Sequence, residues 1–174
     1  LVAALALAAS PASGDIAGAT YAEPTARYDH AVLGDALEWG ALDLTLADGT
    51  IRRFRLPERL VFEDLAPRLA DLDGDGRPEV ITVESGLTTG ARLAIWGETG
   101  RIAATPHYGQ RNRWLAPVGA ADLDRDGRVE IAYVDRPHLA KVLRVLRLEG
   151  TSLTEIASLP GLTNHRIGMD ERGR

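Results

Sequence analysis

Asp71-Leu72-Asp73-Gly74-Asp75-Gly76-Arg77-Pro78-Glu79 returns 51 residues later as Asp122-Leu123-Asp124-Arg125-Asp126-Gly127-Arg128-Val129-Glu130. Each copy sets carboxylates at positions 1, 3, 5 and 9 of a short loop. Like charges at that spacing repel and raise one another's pKa, so the pattern requires a cation. The donors are all oxygen and Gly punctuates the loop, which suits a hard cation of calcium size. Magnesium keeps more of its water and takes fewer protein carboxylates. A solvated acidic turn without metal would have to arise twice at matching positions.

An EF-hand also begins Asp-x-Asp-x-Asp-Gly, but it needs a bidentate Glu at position 12 between two helices. Position 12 is Thr82 in the first loop and Tyr133 in the second. Glu79 and Glu130 instead open strand-like apolar runs. What remains is a tight loop between strands, with Asp at 1, 3 and 5, the backbone carbonyl of Arg77 or Arg128 at 7, and Glu at 9. Gly76 and Gly127 stand where such a loop turns sharply and positive φ is useful.

Outward from the loops the chain reads as short apolar runs between turn residues, without amphipathic helical periodicity. Trp39–Leu46 and Thr50–Leu56 flank the turn Ala47-Asp48-Gly49, a hairpin signal. Ala31–Leu33 reads as a strand before them. Arg59–Phe62, Glu79–Val83, Ala91–Trp96 and Arg101–Thr105 form a second group. Arg113–Pro117, Glu130–Val134, Lys141–Leu148 and Ser152–Ala157 form a third. Val80 matches Ile131 at 51 residues, Ala31 precedes Val80 by 49, and Asp48-Gly49, Glu98–Gly100 and Glu149-Gly150 mark equivalent turns. A period near fifty with about four strands per unit predicts an all-β fold, a partial β-propeller of about three four-stranded blades.

The boundaries expected on this ruler are a leader over 1–23, a blade without a metal loop over 24–58, a blade with the first loop over 59–110, a blade with the second over 111–163, and the start of a further blade over 164–174. In the first blade the place of the acidic loop is read as Glu23–Asp29. Propellers close with 4–8 blades and an open arc leaves sheet edges unpaired, so the chain is expected to be a fragment of a larger ring, or one closed by another chain.

The stretch Leu65-Ala66-Pro67…Ala70-Asp71-Leu72-Asp73-Gly74-Asp75-Gly76-Arg77-Pro78-Glu79-Val80-Ile81 resembles FG-GAP repeats (also called VCBS-type), as in the integrin alpha-chain β-propeller. The resemblance covers roughly residues 59–168. It implies that each loop joins the first two strands of a blade and binds calcium, with Asp71, Asp73, Asp75 and Glu79 as side-chain ligands of one site. Asp122, Asp124, Asp126 and Glu130 match the other, so two Ca2+ sites are expected. The ninth position departs from the family's commoner Asp, and the Phe-Gly and Gly-Ala-Pro signatures are replaced by Leu-Ala-Pro and Val-Gly-Ala. The repeats occur in adhesins, receptors and enzyme appendages, so they imply fold and metal rather than one activity.

Composition bounds the remaining choices. The 174 residues suffice for a real core, with 45% hydrophobic and 26% charged residues, 18 Gly and nine Pro. A net charge of −5 gives no electrostatic reason to expect nucleic acid. Without Cys there is no disulfide framework and no Cys-based zinc site. Leu1–Ala9 followed by Ser10-Pro11-Ala12-Ser13 is too short to span a bilayer but suits the apolar core of a signal peptide, cleaved after Ala12. Export to the periplasm or beyond is therefore expected, from a precursor starting before Leu1, and 14–24 reads as a small-residue leader.

No Gly-x-Ser-x-Gly, phosphate loop or His-Glu-x-x-His occurs, and no catalytic residue is assigned. His107, Arg111, Arg113 and His165 fall near blade junctions, where a funnel could gather them around an anionic sugar or phosphate. Hydrogen bonding between loops and blades is the plainer role for them. His30 and His138 read as isolated surface residues, and Trp39, Trp96 and Trp114 as core between blades. The function expected is binding, adhesion or scaffolding toward a protein or carbohydrate. The alternatives are a propeller enzyme, such as a polysaccharide lyase or hydrolase, and a truncated product without independent function.

Overall fold

Turn residues divide the chain into strands that can only be buried by stacking sheet on sheet, and the computed structural model, which describes residues 14–30 and 37–164, is built that way. Twelve strands and no helix occur among the described residues. They are β1 (Ile16–Thr25), β2 (Glu38–Leu46), β3 (Ile51–Arg55), β4 (Leu60–Phe62), β5 (Arg68–Ala70), β6 (Glu79–Gly86), β7 (Gly90–Gly97), β8 (Gly100–Ala104), β9 (Leu115–Ala121), β10 (Glu130–Asp135), β11 (Val142–Glu149) and β12 (Ser152–Pro160). All pairings are antiparallel, in an eight-stranded sheet of β1–β8 and a four-stranded sheet of β9–β12.

The second and third sequence groups fold alike. β5 to β8 and β9 to β12 are each a meander in sequence order, with the acidic loop between its first two strands. Ala70 pairs with Glu79 as Ala121 pairs with Glu130, which preserves the 51-residue offset. The first strand of the second group is broken into β4 and β5, with Leu65-Ala66-Pro67 in the interruption. Pro67 has no N–H to give a ladder, so a break there is expected. β4 also bridges the groups, pairing Phe62 with both Trp39 and Glu84.

Alternation of side chains along β6 and β7 places the core. Ile81, Val83, Leu93 and Ile95 point to one face and pack with Trp114, Leu115, Ile131 and Leu146 of the third group. Val80, Ala94 and Trp96 point to the other and pack with Leu42, Leu44, Phe62 and Ile16. The middle unit is thus covered on both faces, and every residue of β6 is buried. Trp96 and Trp114 lie in these two layers, and Trp39 packs against the second.

The first group departs from the sequence reading. Residues 16–25 form β1, although 16–23 were expected as leader, and Ile16 to Thr25 pair along β2 from Leu46 to Glu38. The run is rich in Ala and Gly, so it lacks the bulky alternation that marks a strand. Its ladder bonds and the stack of Tyr21 on Phe62, with ring centroids 5.2 Å apart, hold it in place. β1 therefore occupies the position of β6 in its unit, and Glu23–Thr25, part of the stretch read as the place of the acidic loop, are its last three residues. Ala31–Leu33, the leader up to Ser13, and all but Asn164 of the further blade expected over 164–174 lie outside the described residues.

Candidate metal centres

Both acidic loops are shaped by their own backbone. Asp71 accepts hydrogen bonds from the N–H groups of Gly74 (2.8 Å) and Gly76 (2.9 Å), and Asp122 accepts them from Arg125 (2.7 Å) and Gly127 (3.0 Å). Asp73 accepts from Asp75 N–H, Asp75 from Arg77, Asp124 from Asp126, and Asp126 from Arg128, all at 2.8–3.1 Å. These are Asx turns that curl the loop. Glu79 and Glu130, at the start of their strands, close the ring by accepting from Leu72 N–H (2.9 Å) and Leu123 N–H (2.8 Å). Gly76 (φ +84°) and Gly127 (φ +86°) take the left-handed turn that the sequence assigned them.

Three carboxylates converge in each loop: Asp71, Asp73 and Glu79 in the first, Asp122, Asp124 and Glu130 in the second. One oxygen from each lies within 4.8 Å of the others. Two oxygens on opposite sides of a calcium ion stand roughly 4.6–5.2 Å apart, so this spacing matches one central cation. Asp75 and Asp126 are not in those converging sets. The Asp75 carboxylate is bound by Arg77, and that bond holds its pKa below the ordinary range. Asp126 Oδ2 lies 3.0 Å from Arg147. The carbonyls of Arg77 and Arg128 stay in the ligand set by resemblance alone.

The two loops differ in what faces them from the third strand of the meander. Glu130 is paired with Arg147 across β10 and β11, and the guanidinium lies on the carboxylates, with Nε 2.8 Å from Glu130 Oε1. Its Nη2 also bonds Glu130 and reaches Asp126 (3.0 Å) and Asp124 (3.4 Å). In the first unit Val80 pairs with Trp96, which sets Gly97 opposite Glu79. Gly97 brings no charge, and a cleft of about 290 Å³ opens there, lined by Asp15, Asp73, Asp75, Glu79 and Glu98 and by Arg77, whose guanidinium is turned onto Asp75. Burial pushes the Glu79 carboxyl above its ordinary pKa, and Asp73, Asp75 and Asp71 push it further. The donor set of the first loop therefore fits a bound cation. That of the second already holds one.

The cationic residues expected at a junction are dispersed. His107 donates Nδ1–H to the carbonyl of Gly90 (2.7 Å), Arg111 pairs with Asp29 and lies 6.0 Å over the Tyr28 ring, and Arg113 bonds Gln110 (3.1 Å). His107 lines a cleft with Arg92 and Arg101, whereas Arg113 lines another with His30 and His138; His165 lies outside the described residues. His30 is not the isolated surface residue expected. Its Nδ1 bonds Glu63, a fully buried carboxylate that also accepts from Ser85, and burial raises the pKa of Glu63.

Sequence reading also missed a set of buried acids on the second strands: Glu84 with Arg92 and Arg101, and Asp135 with Arg136 and Arg144. A charged residue inside an apolar strand run carries that signal, because it must find a partner across the ladder.

Antiparallel four-strand units, each carrying an acidic loop between its first two strands, define a β-repeat protein. Residues 64–133, which include both loops, match the model of the FG-GAP-like repeat family, and the chain carries repeats of FG-GAP type. That match suggests a β-propeller-type module. No curated protein and no solved structure matches the chain. Among the described residues, no helix is long and apolar enough to cross a membrane.

Proposed function

We propose that the chain is a calcium-stabilised propeller module, arranged in blades of about four strands, that serves an exported protein in binding or as scaffold. One observation carries the calcium reading: oxygens of Asp71, Asp73 and Glu79 lie within 4.8 Å of one another, while the nearby Arg77 guanidinium is held by Asp75, outside that set. Calcium there would offset the burial, and the carboxylate repulsion, that raise Glu79 and would tie the start of β6 to the loop. Its role is structural, since the loop ligates through groups that also fix its own backbone.

Binding is preferred over catalysis because the His and Arg residues near the junctions are divided between separate clefts and engaged in bonds of their own. The ligand class expected is a protein or a carbohydrate. Extracellular calcium modules hold the ion with a Kd on the order of 10⁻⁴–10⁻³ M, and a site at 100-fold excess of calcium over Kd gains about 2.7 kcal/mol.

Thermal unfolding in millimolar calcium and in chelator tests the calcium reading. A melting temperature several degrees lower in chelator, with the 71–79 loop newly open to protease, is the expected result. Identical melts would overturn it.

A further inference from the structure

From the Arg147 contacts we infer that the two acidic loops are inequivalent, with Arg147 acting as the resident cation of the second, so that a free divalent ion is taken up by the first alone. The inference rests on the calcium reading of the first loop. Arg147 is almost fully buried between Leu146 and Leu148, two residues of the core, so β11 fixes where its guanidinium can go. There it occupies Glu130 Oε1 with two N–H donors and reaches Asp124 and Asp126 as well.

Glu130 Oε2 already accepts from Leu123 N–H, so the oxygen with most room for a metal is Oε1, and that one is held twice by Arg147. Guanidinium and a divalent ion would then stand within a few ångströms in a partly buried site, where repulsion is strong. A guanidinium does not give up its charge by deprotonation. The ion must therefore displace the side chain, with the loss of all its contacts.

The first loop supplies the internal control. Glu79 uses Oε2 in the same way, for Leu72 N–H, while among the described residues no hydrogen bond reaches Oε1. Gly97 stands at the place of Arg147 in the ladder, with the Ile102 side chain packed where its Cβ would be, so no cation reaches Glu79 from that strand position. The calcium dependence of the molecule is thereby placed at one loop. The second loop is held shut by the chain itself at any calcium concentration.

Calorimetric titration of the chelator-stripped 174-residue chain with CaCl2 tests this, using Arg147→Gly, which copies Gly97, and Arg147→Met, which keeps the side-chain bulk if the Gly variant does not fold. The wild type is expected to bind one equivalent, either Arg147 variant two, and Asp73→Asn to lose the wild-type equivalent. Arg147→Met with Asp73→Asn should then bind one, at the second loop. Two equivalents in the wild type within about tenfold in Kd, or one equivalent still in both Arg147 variants, would overturn the inference while leaving the calcium reading intact. No uptake by any of the proteins would overturn the calcium reading itself.

Discussion

Trp114 donates its indole N–H to the carbonyl of Glu63, 2.9 Å away and 51 residues back in the chain. One repeat is thus stitched to the next at the same spacing that separates their acidic loops. The neighbouring backbone adds one further stitch, Ala91 N–H to the Arg113 carbonyl (2.7 Å), while Arg136 N–H to the Trp114 carbonyl (3.1 Å) closes the third unit on itself. Trp114 is 2% exposed and packs in the layer between β7, β9 and β10.

Trp114→Phe keeps most of that apolar surface but leaves the buried Glu63 carbonyl without its indole donor. An unsatisfied buried acceptor costs about 1–3 kcal/mol. Trp114→Ala adds a cavity and should cost roughly 3–5 kcal/mol. Urea unfolding of the two variants should rank them in that order with an unchanged slope, and equal midpoints would remove Trp114 as the stitch between units.

Arg125 tests how closely the second loop copies the first. It has φ +66°, where the first loop has Gly74 at φ +80°. The left-handed conformation costs a non-Gly residue roughly 1–2 kcal/mol, offset in part by the extra freedom that Gly gives the unfolded chain. Arg125→Gly should therefore stabilise by up to about 1 kcal/mol, and Gly74→Ala should destabilise by about as much. A melting temperature that falls for Arg125→Gly would contradict the shared loop geometry.

Much of this architecture was legible in the residues, and the failures have physical causes. Alternating Leu42, Leu44 and Leu46, the Asp48-Gly49 turn and the twin acidic loops placed most of the strands, because bulky side chains at period two report burial directly. Residues 16–25 did not, since Ala and Gly carry little apolar signal and their strand is held by ladder bonds and one aromatic stack. The loop carboxylates could be read as a pattern, but Arg147 lies on another strand, and only the pairing of β10 with β11 brings it to Glu130. The same holds for His30 and Glu63, 33 residues apart in sequence and bonded in space.

His107 gives the fold a dependence on mild acid. Burial, aided by Arg92 and Arg101, lowers its pKa below the ordinary value of 6.5, while the Gly90 bond opposes this. The folded state then binds fewer protons than the unfolded one between the two pKa values, so this contribution is complete above 6.5 and is lost as pH falls below it. His138 is lowered in the same sense by burial, whereas the raised carboxyls of Glu63 and Glu79 act oppositely at lower pH. Comparison of His107→Gln with the wild type isolates the one group. The stability gap between the two proteins should shift in favour of the variant on going from pH 7.5 to 5.5, and a pH-independent gap would refute the assignment.

Tyr21 decides whether residues 16–25 belong to the fold in solution. Its ring stacks on Phe62, which is fully buried and itself touches Trp96 with centroids 5.9 Å apart. The side chain therefore covers one end of the layer that holds Leu42, Leu44 and Val80. Truncation to Ala removes an aromatic contact and a large part of one buried side chain, worth about 2–3 kcal/mol. As the control, Ala17→Ser changes an exposed residue of the same strand and should leave stability within about 0.5 kcal/mol. If 16–25 were a leader detached from the sheet, Tyr21→Ala would be as silent as Ala17→Ser in denaturant unfolding, and proteolysis would trim the chain to a point beyond Thr25 without loss of the β signal in circular dichroism. Loss of stability in Tyr21→Ala alone, with residues 16–25 protected from the protease, is the outcome that the pairing of β1 with β2 requires.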